Sequence, residues 1–233
     1  MSYKKRLDGR KFDELRPIKV EMGVVPNANG SAKFSFGETV AIAAVYGPKP
    51  LHPQHLQNPE KGVLRCFYDM LSFSVTERKR PGPNRRSQEI SKVIEWALAP
   101  VIKLDEFPNT VVDVHIMITQ ANASTRCAGI NAAAMALAQA GVPMHEMVSS
   151  VSIGKIDDKV VADLTKAEED YEEGEGPTDI PIAITSNSNK ITLLQLDGKI
   201  QPDRLKEVIE AGKKACKEIY EIQKKELKKI KED

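Results

Sequence analysis

The sequence predicts a mixed fold in which strands come first and helices alternate with strands later. Apolar and polar side chains alternate from Val112 to Ile118, the period of a half-buried strand. The stretch from Cys127 to Ala138 consists mostly of small residues without proline, which favours a helix lying close to a sheet. A third stretch, from Pro202 to Tyr220, has apolar residues at helical spacing. These observations predict a central strand–helix unit and a long C-terminal helix.

The N-terminal half is predicted to contain several strands and one helix. The predicted strands cover residues 18–25, 32–36, 39–46 and 63–73. An Asn-Gly pair within residues 27–30 predicts a hairpin between the first two strands, because this pair tolerates the positive φ angles of tight turns. The helix is expected to start at Ser87, with its apolar residues on one stripe. Arg85 and Arg86 are therefore expected at its N-terminal end.

The C-terminal half is predicted to form two hairpins and then the long helix. The hairpin strands cover residues 151–156, 160–164, 181–185 and 191–196. From Gln223 onward the lysine-rich end is expected to be frayed or solvated. No linker divides the chain, so we expect a single domain over residues 1–233 with an N-terminal arm over residues 1–16.

Composition indicates a cytoplasmic protein that does not enter a membrane. No stretch approaches the roughly 20 apolar residues that a membrane span needs, and the N-terminus lacks an apolar run. The three cysteines, Cys66, Cys127 and Cys216, are far apart and have no CxxC spacing. We therefore expect them to be buried and reduced.

Charge is distributed in patches. A formal net charge of +1 excludes a protein that coats nucleic acid through bulk electrostatics. The loop over residues 77–86 nevertheless combines Pro and Gly with several Lys and Arg residues, and such a run is either a solvated loop or a nucleic-acid contact. The opposite charge follows in residues 168–179. Its first part, residues 168–175, is interpreted as a solvated loop.

The junction between the central strand and helix is a candidate phosphate site. Ser124, Thr125 and Arg126 would bring hydroxyls, the first N–H groups of a helix and a guanidinium to one place. A tetrahedral anion suits these donors. The alternative is that Ser124 or Thr125 only caps the helix and Arg126 is solvated.

A set of motifs then gives the chain a family resemblance. In order, they are Asp8-Gly-Arg10, Leu15-Arg-Pro17, Gly30-Ser31, Val45-Tyr-Gly47, Arg86-Ser-Gln-Glu-Ile90, Ser124-Thr-Arg126 and Asp179-Ile-Pro181. This order resembles the ribonuclease PH family, and within it the catalytic ring subunits of archaeal exosomes. The resemblance implies an α+β fold with βαβ elements, like that of ribosomal protein S5 domain 2. It also implies phosphorolytic shortening of RNA from the 3′ end, which releases nucleoside diphosphates and can run backwards as 3′ tailing.

The resemblance also implies site residues. Ser124, Thr125 and Arg126 would hold inorganic phosphate, the co-substrate, and Arg86 would be a second cation on the transferring group. Asp179 would protonate the leaving O3′, directly or through a metal-bound water. Asp163 and Glu173 would assist in catalysis or in placing Mg²⁺, with Asp179 and Glu173 as metal ligands. RNA contacts are expected from Arg85, Arg86, Arg65, Arg78 and Arg80.

Three functions remain open at this stage. The chain could be a catalytic exosome subunit that acts on single-stranded RNA 3′ ends. It would then form a hexamer with a related non-catalytic subunit, as a trimer of heterodimers, and this ring would bind RNA-binding cap proteins. It could be a homohexameric enzyme of the same chemistry that trims tRNA precursors. It could also be a non-catalytic ring subunit that only binds RNA. The presence of Asp179 together with Arg86 and Arg126 argues against the third.

Overall fold

The computed structural model of the chain describes residue 3, residues 5–171 and residues 176–229. The strands in this part are β1 Ile18–Met22, β2 Gly30–Phe36, β3 Thr39–Pro50, β4 Val63–Met70, β5 Thr110–Gln120, β6 Val148–Ile156, β7 Lys159–Ala162, β8 Thr178–Thr185 and β9 Ile191–Leu194. The α-helices are α1 Arg85–Leu98, α2 Thr125–Gln139, α3 Lys166–Glu169 and α4 Pro202–Lys229.

The strands form two sheets. The first has the order β1-β2-β3-β5-β4, in which β4 and β5 are parallel and the other pairs are antiparallel. The parallel pair is joined through α1, which gives the expected βαβ element. The second sheet is antiparallel with the order β7-β6-β8-β9.

Helix α2 lies in the core and packs on β2 and β3 of the first sheet and on β6 of the second. Its small residues allow this double contact, because they let both backbones come close. A Cβ atom on Gly30 of β2 would lie 2.4 Å from the carbonyl oxygen of Ala136, so only glycine fits there. The strand–helix unit predicted around residues 112–138 is thus the centre of the fold.

The predictions for two helix ends are wrong, and several strand ends differ from the predicted ones by up to four residues. Helix α1 begins at Arg85 and not at Ser87, because Asn84 forms the cap: its side-chain oxygen accepts a hydrogen bond from the Ser87 N–H at 2.8 Å. Helix α4 does not fray at Gln223, which is fully buried and accepts a hydrogen bond from the Ser149 hydroxyl at 2.8 Å. Residues 230–233 lie outside the described part.

The N-terminal arm, described for residues 3 and 5–16, contains no helix or strand there and packs over β7 and the segment before α3. A small cluster of Tyr3, Ile156, Val161 and Leu164 lies beneath it. As predicted, all three cysteines are buried and free. Among the described helices, none has the length and apolar character to cross a membrane.

Candidate active site

A cavity with a volume of about 950 Å³ opens where α1, α2, α3 and β8 meet. Its lining includes three arginines, Arg85, Arg86 and Arg126, which are called the cationic wall. It also includes three carboxylates, Glu169, Asp179 and Asp197, which are called the acidic wall, and Glu89 and Lys166 line the cavity as well. Residues from five separate parts of the sequence meet here, so the cavity is a product of the tertiary fold.

The cationic wall is formed at two helix ends. The Asn84 cap fixes the first turn of α1, and therefore the exposed Arg85 and Arg86. Neither of these arginines makes a hydrogen bond or ion pair within the described residues. Arg126, in the first turn of α2, is half-buried, and its guanidinium donates to the Gln195 side chain.

The turn before α2 takes an uncommon conformation. Ala123 and Ser124 have φ angles of 56° and 52°, in the left-handed region. Ser124 does not cap α2 with its side chain, which instead donates to Asp163 Oδ1 at 3.2 Å. The capping alternative is therefore wrong for Ser124, and its hydroxyl is not directed at an anion. The first N–H groups of α2 have no acceptor within the helix, and they lie at the same end of α2 as Arg126.

Asp179 begins the acidic wall at the start of β8. Its backbone N–H donates to the Asp197 carbonyl oxygen at 2.8 Å, with the reciprocal bond also 2.8 Å, and the Ser152 hydroxyl donates to its carboxylate. Burial raises the pKa of Asp179, and the Asp197 charge adds to the rise. The Ser152 hydrogen bond and the charges of Arg126 and Arg86 oppose it. Asp179 is thus held in the cavity with both signs of charge nearby.

Glu169 is the residue that the sequence interpretation missed. It ends α3 on the cavity, 26% exposed, with its Oε2 atom 3.8 Å from Lys166 Nζ. Burial, and then the charge of Asp179, raise the pKa of Glu169 to about 7. The available sequence signal was a capping box, Thr165 with Glu168 three residues later, which predicts a helical turn.

The expectation of a solvated loop over residues 168–175 is wrong where the structure describes that segment. The Glu168 side chain is 0% exposed and paired with Arg6. Burial would raise the pKa of Glu168, but the Arg6 and Thr165 hydrogen bonds hold it below its usual range. Asp170 is exposed and paired with Lys166 at 2.6 Å. Glu173, predicted as a metal ligand, lies outside the described residues.

Asp163 does not line the cavity. Its side chain is 0% exposed, and Oδ1 lies 2.6 Å from Arg16 Nη2 while Oδ2 accepts from Arg16 Nε at 2.8 Å. With the Arg16 backbone N–H, at 2.9 Å from Oδ2, and the Ser124 hydroxyl as further donors, this carboxylate links the N-terminal arm to the turn before α2. The geometry gives Asp163 a bracing role and no contact with a reacting group.

The remaining predicted RNA contacts lie away from the cavity. Arg65 is on β4, where its guanidinium is paired with Asp113 at 2.7 Å. Arg78 and Arg80 are exposed in the loop between β4 and α1. In the described residues neither has an acceptor, so both remain available to a ligand.

The chain matches two models of one family. Residues 14–143 match the 3′ exoribonuclease family, domain 1, and residues 146–215 match the 3′ exoribonuclease family, domain 2. The boundary lies between α2 and β6, and the hydrophobic core extends across it.

Relatives and solved structures agree with this match. The chain is 51% identical over 224 residues to the exosome complex component Rrp41 of Pyrococcus abyssi, covering 96% of this chain and 88% of that protein. Rrp41 of Methanopyrus kandleri is 48% identical over 223 residues, with 96% and 92% covered. Rice Rrp46 superposes with a TM-score of 0.85 at 25% identity, covering 96% of this chain and 100% of that one. An Archaeoglobus fulgidus exosome with RNA bound to the active site has the same fold, with a TM-score of 0.77, 20% identity, and 93% and 92% covered.

The resemblance drawn from the motifs is thereby confirmed, as is the α+β fold that it implied. From the two matched models and the identity over nearly the whole length, the chain belongs to the 3′ exoribonuclease family, also called the ribonuclease PH family.

Proposed function

We propose that this chain is the catalytic subunit of an archaeal exosome ring, a phosphate-dependent 3′-to-5′ exoribonuclease that releases nucleoside diphosphates. The observation that carries the proposal is one cavity in which Arg86 and Arg126 face Asp179 and Glu169 at the N-terminus of α2. The relatives named Rrp41 support the assignment to an exosome over a homohexameric tRNA-processing enzyme.

The cationic wall binds inorganic phosphate and the phosphate group of the RNA that is transferred. Inorganic phosphate is held by Arg126 and by the N–H groups and Thr125 hydroxyl at the start of α2. One of its oxygens attacks the phosphorus of the last internucleotide linkage. Arg86, which has no hydrogen-bond or ion-pair partner among the described residues, offsets the charge that develops on the transferring group. Ser124 contributes through the backbone of its turn, since its hydroxyl is used by Asp163.

The acidic wall moves the proton. When the new phosphorus–oxygen bond forms, the bond to O3′ breaks, and the leaving oxygen takes a proton from a carboxyl group. Glu169 suits this step because its pKa of about 7 leaves it partly protonated at neutral pH. Asp179, predicted from the sequence as the acid, is its partner: its negative charge keeps the proton on Glu169. In the reverse direction, the Glu169 carboxylate accepts the proton of the attacking 3′ hydroxyl.

The acidic wall also suits Mg²⁺. Within the described residues no group of three or more His, Cys, Asp or Glu side chains could hold a metal. Mg²⁺ at phosphoryl-transfer sites, however, needs only one or two protein carboxylates, because substrate oxygens and water complete its shell. Asp179 meets this requirement and would hold the ion, whereas Glu169 is needed in its protonated form. When bound, the ion would neutralise charge on the phosphate oxygens.

RNA and protein partners complete the assembly. Arg85, Arg78 and Arg80 bind the backbone of single-stranded RNA as its 3′ end enters the cavity. A protein with a net charge of +1 makes a poor RNA channel alone, so a related non-catalytic subunit alternates with this chain in a hexamer. RNA-binding cap proteins sit on the ring. The complex works in the cytoplasm, where the buried thiols stay reduced.

The test is RNA degradation by the purified chain, with and without its co-expressed ring partner and with and without phosphate. Product chromatography is expected to give nucleoside diphosphates only when phosphate is present, and full activity only in the hetero-oligomer. Nucleoside monophosphates formed equally well without phosphate would refute phosphorolysis. Full activity of a homohexamer would instead assign the tRNA-processing function.

A further inference from the structure

We infer that the N-terminal arm, through the buried contact between Arg6 and Glu168, positions Glu169 in the cavity. This inference rests on the proposed function, because it concerns the carboxyl group to which that function assigns the proton. Arg6 and Glu168 touch neither the cavity nor a ligand. They are positioning residues that act through the one-turn helix α3.

The contact itself is bidentate and fully enclosed. Arg6 Nε donates to Glu168 Oε1 and Arg6 Nη2 to Glu168 Oε2, each at 2.8 Å. Both side chains are 0% exposed. The other guanidinium N–H groups donate to the carbonyl oxygens of Ala162 at 2.8 Å, Asp163 at 2.9 Å and Glu14 at 3.1 Å. Acceptors on several residues therefore hold the guanidinium of Arg6 in place.

Glu168 has further donors. The Tyr3 hydroxyl donates to its Oε1 at 3.0 Å, and the Thr165 N–H and hydroxyl donate to its Oε2 at 3.0 and 3.2 Å. One of these further donors comes from the arm and two come from Thr165, the residue that caps α3. Glu168 is thus the point at which the arm and α3 are joined.

The position of Glu169 follows from that of Glu168. A helix of four residues has no stability of its own, so α3 keeps its shape only through its cap and its contacts. Successive helical side chains project about 100° apart. With Glu168 fixed inward, Glu169 is directed to the cavity, and Asp170 projects outward to Lys166.

This arrangement needs a reason beyond stability. A buried ion pair between charged side chains loses its hydration, and apolar residues of similar volume are often as stable. What the Arg6–Glu168 pair supplies is a fixed geometry at the neighbouring residue. Catalytic groups need such fixing, since a displacement of about 1 Å can cost roughly 10²-fold in rate.

The main test is Glu168→Gln in the co-expressed complex, which keeps the shape but removes the charge. We expect kcat for phosphorolysis to fall by roughly tenfold to 10²-fold, with KM for RNA and phosphate unchanged. Hydrogen exchange at the amides of residues 168–170 should become faster while that of the core strands stays the same. Asp13→Asn, an arm carboxylate paired with Lys214 at the surface, is the matched control and should leave both measurements unchanged.

A double-mutant cycle separates positioning from general loss of structure. In a Glu169→Gln background, Glu168→Gln should reduce the residual rate no further, because the group it positions has been removed. An equal loss in both backgrounds would overturn the inference, as would a wild-type kcat for folded Glu168→Gln. If Glu168→Gln does not assemble, Tyr3→Phe decides: it removes one hydrogen bond from Glu168, and an unchanged kcat would overturn the inference. A wild-type complex that needs no phosphate would instead refute the proposed function.

Discussion

The two walls of the cavity are built in different ways. The cationic wall lies on the first turns of α1 and α2, helices of 14 and 15 residues. The Asn84 cap fixes the start of α1, and core packing positions α2. The acidic wall has one member on the four-residue α3 and another at the start of β8. Its position depends on contacts between residues far apart in sequence, such as Arg6 with Glu168. In the proposed mechanism, phosphate binding therefore depends mainly on two helix ends, whereas proton transfer depends on a short helix and a strand end that long-range contacts hold in place.

The strongest way to separate the walls is to neutralise the acidic one. Glu169→Gln and Asp179→Asn should each fold, assemble and bind RNA while losing roughly 10²-fold to 10⁴-fold in phosphorolysis and in polymerisation from nucleoside diphosphates. Both directions suffer, because one proton carrier serves both. The measurement is initial rates in each direction. Asp170→Asn, next in sequence but paired with Lys166 outside the cavity, is the control.

Removing an arginine from the cationic wall should change the phosphate requirement as well as the rate. Arg126→Ala is expected to slow turnover by roughly 10²-fold to 10³-fold, by analogy with loss of one preorganised oxyanion donor. It should also raise the phosphate concentration needed for half-maximal rate, which Glu169→Gln should not. Phosphate titrations of both variants make the comparison, with Arg204→Ala on the exposed part of α4 as control. Equal phosphate requirements for Arg126→Ala and wild type would remove Arg126 from the phosphate site.

Acidity should affect the two directions of the reaction oppositely. In the proposed mechanism, phosphorolysis needs the protonated form of Glu169, so that rate should fall by up to about tenfold per pH unit above its pKa of about 7. Polymerisation needs the carboxylate and should fall as the pH drops below that value. Inorganic phosphate titrates in the same range, so each profile is divided by that of Glu169→Gln. A ratio independent of pH would show that Glu169 carries no proton in the reaction.

The raised pKa of Glu169 also makes the free energy of unfolding depend on pH. The folded chain raises the pKa of Glu169 from 4.5 to about 7, so the folded state binds more protons than the unfolded state between these values. The contribution of Glu169 is therefore fully present below pH 4.5 and is lost as the pH rises through about 7. Comparing denaturation midpoints of wild type and Glu169→Gln at several pH values checks the sign. If the denaturation midpoint of Glu169→Gln rises relative to that of wild type as the pH falls, the expected sign is wrong.

The difference between the walls also explains what the sequence could predict. The sequence could predict what depends on local patterns: the alternating strands, the small-residue helix, and the positions of Arg86 and Arg126 near helix N-termini. The structure has these elements where the hydrophobic periodicity predicts them. Glu169 was missed because its neighbours look like a solvated acidic run, and the main partner that holds Glu168 inward, Arg6, is 162 residues away. Asp163 was overvalued for the converse reason: its partner Arg16 is 147 residues away and occupies its carboxylate.

The smallest expected effect concerns the loop before α1 and its contrast with β4. Arg78 and Arg80 are exposed and have no acceptor among the described residues, whereas Arg65 is engaged by Asp113 at 2.7 Å. A cation already paired with a carboxylate releases fewer counterions from RNA when it binds. Replacing Arg78 and Arg80 together by Ala should therefore lower the slope of log affinity against log salt by roughly one unit per lost contact.

Arg65→Ala should change that slope less, although Arg65 was predicted from the sequence as an RNA contact. The effect of the loop variants should be the same for all RNA sequences, because phosphate contacts carry no base information. Binding is measured with the slow Glu169→Gln complex in buffer without phosphate, so that RNA is not degraded during the titration. An unchanged slope for the double loop variant would make the loop a solvated segment. A larger change for Arg65→Ala would move the RNA path from the loop to the face of β4 and β5, since an ion pair there would have to open to meet the backbone.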